Sequence, residues 1–250
     1  MSEEEVRCLK EAMAGETVFN TEELHALVML LRSEWGCPWD RVQTHESIRK
    51  NFIEEAYEAA EAIDRRDPAM LREELGDVLF QVMFHAVLAE EEGAFTWQDV
   101  VTEVCRKMVV RHPHVFGENA ANSTEEALPG WDAIKASTKE QKTPADEVDA
   151  VAKTLPALMR AQKIVKRSGF LSERPGAEAV DFASEWLSEL AESCGGEDCL
   201  DGDALGKALF FLCAYAHKTG RDAEEALTRY ADAFAARLRK ETEQAAAEQE

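Results

Sequence analysis

The chain has 250 residues, of which 45% are hydrophobic, so it can bury a sizeable core. Its 50 Asp and Glu residues outnumber 28 Lys and Arg residues, giving a formal net charge of −22. This acidity argues against a surface that binds a nucleic-acid polymer or an anionic membrane. A small anionic substrate would need a metal and a few local cations to offset its charge.

The sequence has the character of a cytoplasmic protein. Residues 1–15 are charged and lack the apolar segment of a signal peptide. No run of about 18 apolar residues, the length of a membrane-spanning helix, occurs anywhere. The six cysteines are scattered without a Cys-x-x-Cys pair, which favours reduced thiols over disulfides or a zinc site.

Hydrophobic residues in the first part of the chain have helical rather than alternating spacing. Within residues 21–35, Leu24, Val28 and Leu31 fall on one stripe and predict an amphipathic helix. After a short loop, the same kind of pattern predicts a second helix from about residue 44 to residue 66.

Two further helices are predicted from their amino-terminal signals. The Asp67-Pro68 dipeptide combines a capping residue with one suited to the first helical position, and this helix is expected to end near Gly93. Thr96 with Asp99 three residues later forms a capping box, which predicts a fourth helix running towards Arg111.

Residues 112–150 are richer in Pro, Asn, Ser, Thr and charge, and indicate a connector with one short helix around Trp131. Helical patterning resumes at Leu155, and no strand-like alternation of useful length occurs. We therefore predict an all-α fold of four helices, a connector and four more helices.

The chain also contains an internal repeat. LGDVLF at 75–80 recurs as LGKALF at 205–210, and each copy is followed by an apolar helix, a glycine and a capped helix. We interpret the chain as two copies of one helical unit. The predicted domains are residues 1–117 and 151–250, with a connector at 118–150.

Carboxylates occur in two groups that the predicted helices bring together. Glu54, Glu55 and Glu58 lie on adjacent turns of the second helix, and Glu74 and Asp77 are three residues apart on the third. A short turn joins these helices, so we expect them to be antiparallel neighbours. Like charges at short range repel, and a divalent cation would relieve that repulsion.

Two interpretations of these acids remain open. A Glu-rich helix is commonly a solvated face, and Glu73 fits that description best. Glu74 and Asp77 are flanked by apolar residues, which favours a metal site. All the candidate ligands are carboxylates, which favour Mg²⁺ or Mn²⁺ over Zn²⁺. His85, two turns beyond Asp77, is expected to be a core histidine rather than a ligand.

A basic pair lies on the fourth predicted helix. Lys107 and Arg111 are four residues apart on one face, where they could contact phosphate oxygens that a metal does not neutralise. An exposed basic edge on an acidic protein is the simpler explanation. Together with the acids, the pair nevertheless predicts a coherent site for a metal-bound polyphosphate.

Four sequence blocks follow one another in the first half of the chain. They are GCPWD at 36–40 with QT at 43–44, EEAYE at 54–58, EELGD at 73–77 and RHPHVFG at 111–117. Together these blocks closely resemble the MazG family of nucleoside triphosphate pyrophosphohydrolases, whose pattern is EExxE, a spacer and ExxD. ALMRAQKIVKR at 157–167 also resembles the segment that introduces the second repeat of two-repeat members.

The resemblance implies an all-α bundle, commonly a homodimer, that uses Mg²⁺ to hydrolyse a nucleoside triphosphate to the monophosphate and pyrophosphate. Water would attack the α-phosphorus. By analogy, the metal ligands would be Glu55, Glu58, Glu74 and Asp77. Glu54 would orient or deprotonate the water, and Lys107 and Arg111 would bind phosphates. Trp39 would either stack on the base or anchor its loop in the core.

The second repeat departs from the family pattern. Its EExxE block aligns with either Ser184, Glu185 and Ser188 or Glu185, Trp186 and Glu189. Ala204 and Lys207 occupy the ExxD positions, and Ala233 and Arg237 occupy those of the basic pair. Because an ammonium group at Lys207 would oppose a cation, we expect this repeat to bind no catalytic metal and to serve packing, dimerisation or regulation.

These features predict a Mg²⁺-dependent nucleoside triphosphate pyrophosphohydrolase with its site in residues 36–111. The alternative from another class is a non-catalytic helical interaction or regulatory protein whose acids are solvated or hold a structural cation. A phosphatase that releases orthophosphate is a second enzymatic alternative, and its product distinguishes it.

Overall fold

The structure is a computed structural model, and it describes residues 3–15, 18–117, 143–169 and 202–247. Every helix or strand assigned in these ranges is an α-helix, which confirms the all-α prediction. The chain divides into two compact units, Met1–Leu128 and Pro129–Glu250. The short helix predicted around Trp131 and the degenerate EExxE block lie outside the described residues.

Seven helices are described in the first unit and four in the second. Those of the first are α1 (Glu3–Gly15), α2 (Thr21–Arg32), α3 (Pro38–Arg41), α4 (Arg49–Arg65), α5 (Pro68–Glu91), α6 (Trp97–Arg111) and α7 (Pro113–Phe116). Those of the second are α8 (Pro144–Asp149), α9 (Ala157–Ser168), α10 (Gly202–Lys218) and α11 (Ala223–Ala247). Among the described helices, none is long and apolar enough to cross a membrane.

A tight reversal joins α4 to α5, the most extensively packed helix pair of the first unit. Arg66 adopts a left-handed conformation with φ of 54° and ends α4. The Asp67 carboxylate then accepts hydrogen bonds from the N–H groups of Ala69 (2.9 Å) and Met70 (3.1 Å), which caps α5. The predicted start of this helix is confirmed.

The predicted start of α4 at about residue 44 is wrong, because the helix begins at Arg49. Thr44 donates its N–H to Ser47 Oγ at 2.9 Å, and Ser47 Oγ donates to Gln43 Oε1 at 2.7 Å. These side chains satisfy the local backbone in a turn that competes with the helix. His45 therefore lies in a loop before α4.

The core of the first unit forms where α2 meets α5. Its buried members are Val28, Ile48, Met83, Phe84, Val87 and Leu88, and Leu24, Phe80 and Trp97 pack against them. The capping box of α6 is as predicted: Thr96 Oγ1 accepts from the Asp99 N–H at 3.2 Å, and Asp99 accepts from the Thr96 N–H at 2.9 Å.

Arg32 at the end of α2 connects the loop before α4 to the end of α5. Arg32 is only 8% exposed, and its guanidinium makes two hydrogen bonds to the Glu91 carboxylate, at 2.7 and 3.0 Å. The same guanidinium donates to the carbonyls of Asp40 (2.6 Å) and Gln43 (3.2 Å) and lies over the Phe84 ring. One side chain thus fixes three segments of the unit.

In the second unit, α9 packs against α10, with Val165 and Cys213 buried. The helices α5 and α10 end in the same way, at Gly93 and Gly220 with φ of 70° and 67°. This shared geometry is compatible with the internal repeat. Four of the cysteines are described as free thiols: Cys8, Cys37, Cys105 and Cys213.

Replacing Arg32 by Lys keeps the charge but removes the planar fork that binds Glu91 and two carbonyls. We expect the free energy of unfolding of the first unit to fall by about 1–3 kcal/mol. Urea denaturation followed by tryptophan fluorescence would measure this loss.

The matched control is Arg65→Lys, since Arg65 forms an exposed ion pair with Glu61 one turn away on α4. Exposed pairs of this kind contribute little, so the control should change stability by less than about 0.5 kcal/mol. Equal effects of the two substitutions would show that the contacts of Arg32 with Glu91 and the two carbonyls do not stabilise the first unit.

Candidate metal and substrate site

The facing surfaces of α4 and α5 bring three glutamates together. One carboxylate oxygen from each of Glu55, Glu58 and Glu74 lies within 4.8 Å of the other two. The spacing on α4 places Glu55 and Glu58 on one face, and the reversal at Arg66 turns Glu74 towards them. Three of the four predicted metal ligands therefore form one cluster.

The pKa values of two of these carboxyls are raised. Burial raises the pKa of Glu55 first, followed by a hydrogen bond with Glu58 and the charges of Asp77, Glu58 and Glu74. Partial burial, followed by the charge of Glu58 and other nearby carboxylates, raises the pKa of Glu74. Each group is thus harder to ionise beside the others than in water.

Asp77, the fourth predicted ligand, is not one of the three glutamates whose carboxylate oxygens lie within 4.8 Å of one another. Its charge acts on both Glu55 and Glu74, so it is close enough to contribute to the same electrostatic site. Glu61 and Glu73 also act on Glu74. Glu61 was not predicted as part of the site, although its position three residues after Glu58 places it on the same face of α4.

This donor set fits a hard divalent cation. Oxygen ligands from several carboxylates are what Mg²⁺ and Mn²⁺ prefer, and no His or Cys is part of the described cluster. The charges that shift the Glu55 and Glu74 pKa values are all carboxylates, so no described cation offsets them. A bound cation would offset the repulsion that, after burial, contributes to those raised pKa values.

Glu54 is exposed on α4, next in sequence to Glu55 but outside the three-glutamate cluster. Adjacent helical positions differ by about 100° around the axis, so the two side chains leave the helix in different directions. Glu54 therefore lies apart from the three clustered glutamates.

The two members of the predicted phosphate-binding pair on α6 differ in solvent exposure. Lys107 is exposed, whereas Arg111 at the end of the helix is only 8% exposed. The i, i+4 spacing therefore does not give the two cations the same access to solvent. Lys107 is open to solvent, whereas most of Arg111 is covered by the fold.

Trp39 lies in the four-residue helix α3, and its side chain is 58% exposed. A buried anchoring role is therefore wrong for this residue in the chain as described. Gln43 donates to the Trp39 carbonyl at 2.8 Å, and Arg32 holds the neighbouring Asp40 carbonyl. The indole is thus exposed on a short helix whose backbone carbonyls accept these two hydrogen bonds.

In the loop before α4, His45 contacts His85 of α5, which the sequence did not predict. His45 Nδ1 lies 2.7 Å from His85 Nδ1, and the two rings are parallel within 2°. His85 is half-buried in this pair and lies outside the three-glutamate cluster. Its partner could not be predicted, because periodicity placed His45 within a helix.

The second unit lacks this acidic arrangement where it is described. Ala204 and Lys207 of α10 occupy the positions that correspond to Glu74 and Asp77, and Lys207 is exposed. The described residues of this unit contain no cluster of three or more potential metal ligands.

The acidic residues lie in a part of the chain that matches a known protein family. Residues 43–116 match the model of the MazG nucleotide pyrophosphohydrolase domain, a stretch that includes all five predicted acids. The chain is 38% identical over 225 residues to a nucleoside triphosphate pyrophosphohydrolase of Escherichia coli strain K12, covering 87% of this chain and 85% of the relative.

Two further relatives extend the comparison. A Thermotoga maritima protein named nucleoside triphosphate pyrophosphohydrolase/pyrophosphatase MazG is 38% identical over 222 residues, covering 88% of this chain and 84% of the relative. A nucleoside triphosphate pyrophosphohydrolase of Mycobacterium tuberculosis is 40% identical over 145 residues, covering 57% of this chain and 43% of the relative. With relatives this similar over most of its length, the chain belongs to the MazG family.

Proposed function

We propose that this protein is a Mg²⁺-dependent enzyme that hydrolyses nucleoside triphosphates to the monophosphate and pyrophosphate. The observation that carries the proposal is the cluster of Glu55, Glu58 and Glu74, in a chain whose long-matching relatives are named for this activity. Uncompensated carboxylates at this distance favour a divalent cation, and a triphosphate is a substrate that such a cation can hold.

The residues divide into groups by what each can do. We assign Glu55, Glu58, Glu74 and Asp77 to hold Mg²⁺, with Mn²⁺ as a substitute of the same ligand preference. When bound, the metal would neutralise phosphate charge and polarise the phosphoryl group. Lys107 and Arg111 would stabilise the negative charge that develops on the departing pyrophosphate.

Glu54 is assigned to the water that attacks the α-phosphorus. A carboxylate that is not occupied by a metal can accept a proton from water and orient its lone pair. Its exposure on α4 beside Glu55 supports this role, because the reacting water must lie near the metal but remain accessible. The exposed Trp39 would contact the nucleoside.

We further propose a cytoplasmic homodimer. The α4–α5 hairpin exposes several large apolar side chains in a single chain: Tyr57, Ile63, Leu75 and Leu79. Such a surface is typical of an interface between subunits. The free thiols of the described cysteines fit a reducing compartment.

The alternative of a non-catalytic helical protein predicts no product. We expect the purified protein with Mg²⁺ to convert a panel of canonical and damaged nucleotides to monophosphate and pyrophosphate. The double variant Glu55→Gln, Asp77→Asn should reduce turnover to background, because both substitutions remove a charged ligand. Release of orthophosphate instead of pyrophosphate would identify a phosphatase.

Attack at the α-phosphorus can be tested by carrying out the reaction in ¹⁸O-labelled water. The label should enter the nucleoside monophosphate and be absent from pyrophosphate, as mass spectrometry of the products would show. Label in the pyrophosphate would mean attack at the β-phosphorus and would contradict the assignment.

Glu54→Gln should separate catalysis from metal binding. We expect kcat to fall by about 10²-fold, the usual contribution of a general base, while the Mg²⁺ concentration for half-maximal activity changes little. Exposed Glu103 on α6 provides a control, since Glu103→Gln makes the same chemical change outside the acid cluster. Unchanged kcat in Glu54→Gln would remove this residue from the chemistry.

Glu74→Gln should have opposite effects on stability without and with metal. Because the folded state raises the pKa of Glu74, its charge destabilises the metal-free protein above that pKa. The variant should therefore have a higher Tm without metal, and this gain should disappear as pH falls below the ordinary carboxyl pKa of about 4.3.

With Mg²⁺ at about 100 times its Kd, the wild-type protein should gain about 2.7 kcal/mol of stability, and Glu74→Gln should lose most of that gain. Glu73→Gln removes a neighbouring charge that is not assigned as a ligand, so it should retain the Mg²⁺-dependent rise in Tm. If both variants respond to Mg²⁺ like the wild type, the cluster is not the metal site. Differential scanning fluorimetry would measure the Tm of each variant with and without Mg²⁺.

A further inference from the structure

Glu90, near the end of α5, connects that helix to two others in the first unit. Its Oε2 atom lies 2.8 Å from His25 Nε2 on α2, and its Oε1 atom accepts a hydrogen bond from the Trp97 N–H at 2.6 Å. Because an ionised carboxylate can only accept hydrogen bonds, His25 Nε2 is the donor in the first contact. Trp97 is the first residue of α6. The two oxygens of one side chain, which is 20% exposed, thus bind two different helices.

The start of α6 is bonded to two carboxylates with different effects on the helix. The first N–H groups of an α-helix have no partner within the helix, and Glu90 satisfies that of Trp97 from α5. Asp99 accepts from the Thr96 N–H at 2.9 Å, and its described hydrogen bonds all stay within the start of α6. Asp99 therefore stabilises the first turn, whereas Glu90 also fixes where that turn lies relative to α2 and α5.

The side chains of α6 attach it to the first unit mainly at its two ends. Trp97 packs against the core at the beginning of the helix. Among the described residues of α6, only Arg111, at its end, is buried. Val104 and Val109 between them are 42% and 44% exposed. Because packing along the middle of the helix is sparse, the bond from Glu90 carries much of the orientation of α6.

The position of Lys107 depends on that orientation. Lys107 follows Trp97 by ten residues and precedes Arg111 by four, about 15 Å and about 6 Å along the helix axis. If the start of α6 is released, a tilt of about 10° around Arg111 moves Lys107 by about 1 Å. A misplacement of about 1 Å can reduce a catalysed rate by about 10²-fold.

We propose that Glu90 is a positioning residue that orients α6 so that Lys107 contacts the pyrophosphate group of the substrate. Glu90 acts through the helix and does not touch the substrate, and His25 holds the Glu90 carboxylate from α2. This inference rests on the proposed function, in which Lys107 and Arg111 bind phosphates.

A double-mutant cycle with Lys107 distinguishes positioning from a general loss of stability. Glu90→Ala should reduce kcat by about 10-fold in the otherwise wild-type protein. In Lys107→Ala the same substitution should cost less than about threefold, because the ammonium group that Glu90 positions is already gone. The Mg²⁺ concentration for half-maximal activity should change little, since the assigned metal ligands lie on α4 and α5.

Asp99→Ala is the matched control, because it removes the other carboxylate at the start of α6. Both substitutions should lower Tm, since each leaves an N–H at the helix start without its partner. Asp99→Ala should keep kcat within about twofold of the wild type, because its bonds do not reach α2 or α5. Equal losses of kcat in the two variants, or a full 10-fold loss from Glu90→Ala in Lys107→Ala, would overturn the proposal.

Glu90→Gln tests the two bonds directly. The amide oxygen can accept from the Trp97 N–H, and the amide nitrogen can donate to His25 Nε2 in the other neutral tautomer. We expect kcat within about threefold of the wild type, and a variant as slow as Glu90→Ala would contradict positioning by these bonds. If Glu90→Ala does not fold, His25→Ala replaces it in the cycle. It removes only the link to α2, and it should lower kcat when Lys107 is present and not in Lys107→Ala.

Titration calorimetry with inorganic pyrophosphate and Mg²⁺ separates failure of the positioning role from failure of the proposed function, because it needs no turnover. The Kd should rise about 10-fold in Glu90→Ala and less than about threefold in Asp99→Ala. Hydrolysis with equal kcat in these two variants would reject the positioning role and leave the hydrolase intact. Pyrophosphate binding that depends on Glu90, in a protein that hydrolyses no nucleotide, would support the positioning role and reject the proposed function. Absence of both hydrolysis and pyrophosphate binding would overturn both.

Discussion

The reversal at Arg66 and Asp67 brings several carboxylates together, and the site depends on the repulsion among them. This turn aligns α4 with α5, so Glu55 and Glu58 face Glu74 across the helix pair. Burial first, and then the neighbouring carboxylates, raise the pKa values of Glu55 and Glu74, so ionising these groups costs more in the folded chain than in water. We infer that the cluster serves to bind a cation rather than to stabilise the metal-free chain.

The remainder of the first unit holds other groups beside this helix pair. Arg32 ties the loop carrying Trp39 and His45 to the end of α5, and the contact of His45 with His85 places that loop against the middle of the same helix. Residues distant in sequence therefore border one continuous stretch of α4 and α5. We interpret the acid cluster as the part of this stretch that holds the phosphates.

Helix periodicity and capping residues predicted the fold well where local sequence determines structure. Asp67-Pro68 and the Thr96–Asp99 box mark the helix starts that the structure has. The same reasoning was wrong at residue 44. Thr44 and Ser47 form a hydrogen bond with each other in a turn, so α4 begins only at Arg49. The short turn between α4 and α5 was enough to predict that Glu74 approaches Glu55. The burial of Arg111 and the contact between His45 and His85 depend on tertiary packing, which the spacing of residues along a helix does not encode.

The central claim is that carboxylates of α4 and α5 together bind one divalent cation. Anomalous X-ray diffraction from crystals of the full-length protein grown with Mn²⁺ would test it most directly. We predict an anomalous peak coordinated by oxygens of Glu55, Glu58 and Glu74, with Asp77 completing the protein ligands. Mn²⁺ bound elsewhere, or no peak between these helices at saturating Mn²⁺, would contradict the account.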